Sequence, residues 1–215
     1  MEIGDSPHFL IAGLGNPGKR YAGTRHNAGF MVADALAGHI RRIGPSSSES
    51  RQSPVASGGW DLQCESLVCP AQIAGVNGVI AKPLTFMNLS GQAVRLLLAR
   101  FSLSERDLIL ALDDLSLPFG RIRVRCRGSS GGHHGLESVI RSLETEEFIR
   151  LRLGIAEESM PADKAEFVLS DFPGDREQAL GDMVARAANA AVMIVSDGIE
   201  KTMSVFNAPE KEKQL

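Results

Sequence analysis

The sequence predicts a single α/β domain built on a central mixed, twisted β-sheet with helices on both faces. Three observations carry this. Short apolar runs alternate with amphipathic helical stretches along the chain, as in folds that pack helices on a sheet. One of those runs, Leu108-Ile109-Leu110-Ala111-Leu112, is apolar throughout, the pattern of a central strand buried on both faces. No internal repeat or linker splits the 215 residues, so one domain is expected over 1–215.

The elements follow in order. Phe9-Leu10-Ile11-Ala12 reads as a buried strand entering a glycine-rich turn. From Asn27 to Ile43, Phe30, Met31, Ala33, Leu36, Ala37 and Ile40 recur at the helix period. Pro45 to Gly59 is rich in Ser, Gly and Pro, and is expected to be a flexible excursion. Leu62–Val68 and Val79–Ala81 read as strands, with Asn77-Gly78 as the hairpin turn between apolar flanks. Asn88 is expected to cap an amphipathic helix carrying Val94, Leu97, Leu98 and Phe101. The central strand ends on Asp113-Asp114. Arg121 to Arg127 then alternates strictly, which places four arginines on one face of a strand. A Gly-Ser-His loop, Gly128–Gly135, leads into a short helix with Leu136, Val139, Ile140 and Leu143, and Phe148–Ile155 is a further strand. The stretch Asp175–Phe206 is alanine-rich and helical, broken near Asp197-Gly198.

Composition excludes several classes. Hydrophobic residues make up 43% and charged residues 23%, wrong for a disordered chain. The longest apolar runs, such as Phe9–Leu14 and Ala190–Val195, fall well short of the roughly 20 residues of a membrane span. The amino terminus is acidic, without the basic region of a secretory signal. Three cysteines, none in a C-x-x-C pair, argue against a disulfide framework or structural zinc and for a reducing, cytoplasmic setting. The net charge of −3 leaves nucleic-acid binding to a local patch.

Gly13-Leu14-Gly15-Asn16-Pro17-Gly18 has the G-x-G-x-x-G spacing of a dinucleotide site, but Lys19–Arg25 lacks the apolar helical stripe that would complete it. The glycines then either build a tight turn or let backbone approach a ligand while Asn16 offers a carboxamide. An acid at a strand end, Asp113, suits a histidine such as His26: it can accept the imidazole N–H and free the other nitrogen as a base. A turn signal before Pro118 is the plainer reading of Asp113-Asp114. His26, His133, His134, Asp113 and Asp114 lack any zinc-motif spacing, so no metal is expected. The arginine stripe, with Arg152 on a later strand, suits a grip on one or two phosphates; an edge strand kept soluble by charge is the alternative.

Together the motifs become recognisable. Leu14-Gly15-Asn16-Pro17-Gly18 with Tyr21 and Thr24-Arg25-His26-Asn27, then Lys82–Gly91, then Asp113-Asp114-Leu115 with Gly131-Gly132-His133 and Gly135-Leu136, resemble in order the three motifs of bacterial peptidyl-tRNA hydrolase. The resemblance runs from about Phe9 to Phe206. It implies a cytoplasmic, monomeric, cofactor-free enzyme that cleaves the ester between a peptide and tRNA, with no protein partner and no membrane. It implies His26 as base, Asp113 as its orienting carboxylate, and Asn16 and Asn88 as holders of the substrate end and attacking water. Tyr21, Phe86 and Met87 would line the cleft near the terminal adenosine and peptide. Arg123 and Arg152 would clamp the tRNA 5′-phosphate. A non-catalytic RNA-binding relative is the alternative. One position departs: His134 stands where the family usually has asparagine, and its imidazole is expected to face His26 and titrate with it.

Overall fold

Among the described residues, seven strands form one twisted mixed sheet in the order β2-β3-β4-β1-β5-β7-β6. The computed structural model describes residues 6–43 and 59–208. The strands are β1 (Leu10–Gly13), β2 (Asp61–Gln63), β3 (Ser66–Ile73), β4 (Val76–Pro83), β5 (Leu108–Pro118), β6 (Ile122–Arg125) and β7 (Ile149–Ala156). The helices are α1 (Ala28–Ile43), α2 (Ser90–Phe101), α3 (His134–Leu143), α4 (Lys164–Leu169), α5 (Glu177–Asp197) and α6 (Ile199–Phe206). Strands β4, β1, β5 and β7 run parallel, and β2, β3 and β6 add antiparallel edges. A parallel centre needs helices on both faces, and the core divides accordingly. Ile11, Ile109 and Ala111 face α1 and α5, whereas Leu10, Leu108, Leu110 and Leu112 face α2 and α3.

Helix α5 is long and apolar enough to cross a membrane by length and composition. Its Met183, Ala187, Ala190, Ala191 and Ile194 are instead buried in the core beside α1.

Four local expectations are corrected. The β3–β4 turn is Ala74-Gly75, both with positive φ, and Asn77 and Gly78 lie within β4 opposite Gln72 and Ala71. Gly78 serves packing there: a Cβ on it would sit 2.4 Å from the Phe9 ring. Asn88 does not cap α2; it lies in a 3-10 turn, Met87–Leu89, and the N-cap is Leu89 without a side-chain bond. The arginine alternation forms a strand only over Ile122–Arg125. Arg121 turns to the carbonyls of Asn207 and Ala208, and Arg127 pairs with Glu147 at 3.8 Å, which leaves Arg123 and Arg125 on the strand. The expected strand 62–68 is two strands joined by a turn at Cys64-Glu65. The expected excursion at 45–59 lies outside the described residues except for Gly59.

Placement of the β1 turn rests on glycine. A Cβ on Gly13 would lie 2.1 Å from Gly29 O, and one on Gly29 would lie 2.3 Å from Ala111 O. The start of α1 can therefore press directly onto the ends of β1 and β5, which brings His26 against the sheet.

Two substitutions on α1 test this contact. Gly29→Ala meets backbone that cannot yield, so overpacking should cost about 1–3 kcal/mol and lower Tm by about 3–10 °C. Gly38→Ala, with nothing within 4 Å, should raise stability by about 0.4–1 kcal/mol. Thermal melts of both variants read the difference; equal Tm shifts would contradict it.

Candidate active site

Strand β5 does not end on its acids as expected: Asp113 and Asp114 lie buried within it, just before its register with β7 shifts, and the strand runs on to Pro118. The two segments that follow β1 and β6 close over the acids. Asp113 is 2% exposed. Its Oδ1 accepts from His26 Nδ1 at 2.9 Å, from the 3-10 turn Arg25–Asn27, and from His133 Nε2 at 3.0 Å, from the cap of α3. The imidazole rings lie 4.8 Å apart, tilted by 43°.

The backbone sets the tautomers. His133 Nδ1 accepts the N–H groups of Gly135 and Leu136, both at 3.1 Å, as an N-cap acceptor does. An acceptor nitrogen carries no proton, so the proton of His133 sits on Nε2 and points at Asp113. His26 donates Nδ1–H to the same oxygen, which leaves its Nε2 bare in the cleft. Burial alone would push the Asp113 carboxyl up; the imidazoles of His133 and His26, facing and hydrogen-bonding to it, outweigh burial and hold it well below the ordinary carboxylate range.

One potential ligand atom from each of His26, Asp113 and His133 lies within 4.8 Å of the others, a spacing open to a metal ion. With its Nδ1 committed to two backbone N–H donors, His133 could ligate through Nε2 only as an imidazolate. The set suits shared protons better than a cation.

Asn16, at the end of the β1 turn, is clamped twice. Asn27 Oδ1 accepts its N–H at 2.8 Å, and Asn27 Nδ2 donates to its carbonyl at 3.0 Å. The Asn16 Oδ1 accepts Met87 N–H at 2.9 Å. That bond orients the carboxamide and leaves Nδ2 as a donor to the cleft.

The cleft is about 840 Å³ and lies at the carboxyl ends of the parallel strands, where open α/β sheets place their sites. It gathers His26, Asp113, Asn16, Tyr21, Phe86, Met87, Asn88, His134 and Arg152 from the sequence expectation. Phe86 is 54% exposed and offers an open apolar surface. Arg123 does not line the cleft; it lies directly opposite Arg152 in the β6–β7 pair, on the same face. Arg152 pairs with Asp114, its Nε 2.9 Å from Oδ2.

The place beside His26 expected of His134 belongs to His133. The side chain of His134 is 76% exposed and lies 3.9 Å from Glu137, at the rim. Register explains the difference: the residue just before α3 turns its ring inward to cap the helix, and the next one points out. Sequence reasoning also missed Asn27, Arg25 and helix α4. Arg25 binds Ser170 Oγ at 2.6 Å, Asp171 O at 2.8 Å and Glu157 at 2.7 Å, with its guanidinium over Phe167. These bonds fasten α4, whose Lys164, Val168 and Leu169 form the far wall. The local signal for α4 was Asp163, which caps Ala165 and Glu166.

The depressed Asp113 titration makes a stability prediction. The carboxylate's contribution is fully present above its unfolded value near 4 and is lost as the pH falls through its lower folded value. Denaturant unfolding of the parent and Asp113→Asn should show the parent losing ground to the variant only below about pH 4; a stability difference flat from pH 7 to pH 2.5 would contradict it.

Comparison with known proteins is consistent across sequence and structure. The family model described as peptidyl-tRNA hydrolase matches residues 10–214. A peptidyl-tRNA hydrolase of Desulforudis audaxviator is 43% identical over 199 residues, 93% of each chain. One from Aquifex aeolicus is 39% identical over 198 residues, 92% of this chain and 95% of its own. The crystal structure of peptidyl-tRNA hydrolase from Acinetobacter baumannii superposes with a TM-score of 0.78 at 27% identity, over 95% of this chain and 98% of that one.

Proposed function

This chain belongs to the peptidyl-tRNA hydrolase family, and on that premise we propose how its residues divide the work. The enzyme hydrolyses the ester that joins a peptide to tRNA and so returns tRNA to translation. The observation that carries the residue assignment is the bare Nε2 of His26, backed by an ionised Asp113 and opening on the cleft.

His26 Nε2 takes a proton from water as the water oxygen attacks the ester carbonyl carbon. The carbonyl π electrons move to oxygen, and the Asn16 Nδ2–H group is placed to donate to the oxyanion. Asn88, on the cleft wall, holds the water or the substrate end. When the tetrahedral intermediate collapses, the ribose oxygen leaves with the proton from the imidazolium, and the base is restored. Asp113 stabilises the imidazolium and keeps its orientation; positioned bases of this kind are typically worth 10²–10⁴-fold. An ester is a better electrophile than an amide, so one base and one water suffice.

Tyr21, Phe86 and Met87 supply aromatic and apolar surface for the terminal adenosine and the adjoining peptide, with His134 at the rim. Arg152 and Arg123, opposite one another on neighbouring strands, take the 5′-phosphate at the acceptor end. We propose that the enzyme acts as a cytoplasmic monomer, since its substrate is a product of translation and the cleft is built from one chain.

Two experiments test this. Asp113→Asn should lower kcat by about 10²–10⁴-fold with little change in KM, and ¹⁸O from labelled water should enter the released peptide in a single turnover. A kcat within threefold of the parent, or label supplied by an enzyme carboxylate, would contradict the mechanism. Arg123→Ala should raise KM for intact peptidyl-tRNA and lower the salt slope by about one, with a peptidyl-adenosine fragment unaffected. Equal losses on both substrates would place Arg123 in the fold instead.

A further inference from the structure

Asp113 and Asp114 are consecutive buried acids on one strand, and the pleat sends them to opposite faces. Asp113 meets the imidazoles. Asp114 turns toward the α2–α3 side, where it has separate partners. Its Oδ1 accepts the Ser116 N–H at 2.9 Å and the Ser116 hydroxyl at 2.8 Å, so the carboxylate is fixed. Its Oδ2 lies 2.9 Å from Arg152 Nε, and the N–H is not aligned on that oxygen, so the contact is one of charge rather than a directed hydrogen bond. The Arg152 side chain is 20% exposed and forms part of the cleft wall beside Gly131.

A guanidinium can grip an anion side-on, through Nε and one terminal nitrogen, or end-on, through both terminal nitrogens. With Asp114 against Nε, the side-on edge is occupied. We propose that Asp114 is a positioning residue, which holds Arg152 so that it meets a terminal phosphate end-on. The proposal rests on the reading of Arg152 as a phosphate ligand. It gives a buried acid beside the catalytic one a task of its own: Asp113 serves the ester and Asp114 serves the other end of the acceptor stem. Because the contact is electrostatic, a carboxamide of the same size does not replace it.

The test compares peptidyl-tRNA bearing a 5′-phosphate with the same substrate after phosphatase treatment. The parent should prefer the phosphorylated form, and Arg152→Ala should erase that preference. Asp114→Asn should reduce it about 3–10-fold through KM, with kcat changing less than KM. The double variant should be no worse than Arg152→Ala alone, because both changes remove one interaction. Ser116→Ala, which loosens Asp114 without altering charge, should shift the preference the same way by less, and it decides the matter if Asp114→Asn fails to fold. An unchanged preference in folded Asp114→Asn, equal losses on both substrates, or tighter binding of both RNAs would overturn the role of Asp114. A preference that survives Arg152→Ala would overturn the phosphate reading of Arg152 and the proposal with it.

Discussion

One carboxylate oxygen, Asp113 Oδ1, receives two imidazole N–H groups, and most of the site is arranged so that it can. A buried carboxylate without partners costs several kcal/mol, so the fold must deliver both donors reliably. His26 arrives through the Gly13–Gly29 contact, which lets α1 and its preceding turn press on the sheet. His133 arrives as the cap of α3, where satisfying two orphan backbone N–H groups forces its proton toward the acid. The partial positive charge at that helix terminus also favours the anion. His26, the base we propose, is thus oriented by backbone geometry as much as by its direct partner.

Strand β5 separates two electrostatic tasks at Asp113 and Asp114 by alternation alone. Asp113 and Asp114 sit side by side in sequence, but each carboxylate has its own partners on its own face of the sheet. Each carboxylate is met by donors of its own. Arg25 shows the same economy of position: one guanidinium fastens a segment some 145 residues away and so fixes the far wall of the cleft.

Much of this was legible in the sequence. The apolar run Leu108–Leu112 is legible as a buried central strand from local periodicity, whereas the acids after it carried two readings, a turn signal or a partner for His26, that only contacts across the fold separate. The three motifs in order supplied the family. The misses have physical causes. Asn77-Gly78 carries turn chemistry, but Gly78 is needed beneath Phe9, and the chain turns at Ala74-Gly75 instead. Between His133 and His134, composition offers no choice; which ring points inward depends on where α3 begins, to within one residue. Asn27 and Arg25 act across the fold on Asn16 and on 157–171, contacts that no local pattern encodes.

The α3 backbone and Asp113 together fix both imidazole tautomers. ¹⁵N NMR of the histidine side chains above the imidazole titration range tests it directly. His26 should be protonated at Nδ1 with Nε2 bare, and His133 protonated at Nε2 with Nδ1 bare. A His26 ring that carries its proton on Nε2, or a His133 ring protonated at Nδ1, would contradict it.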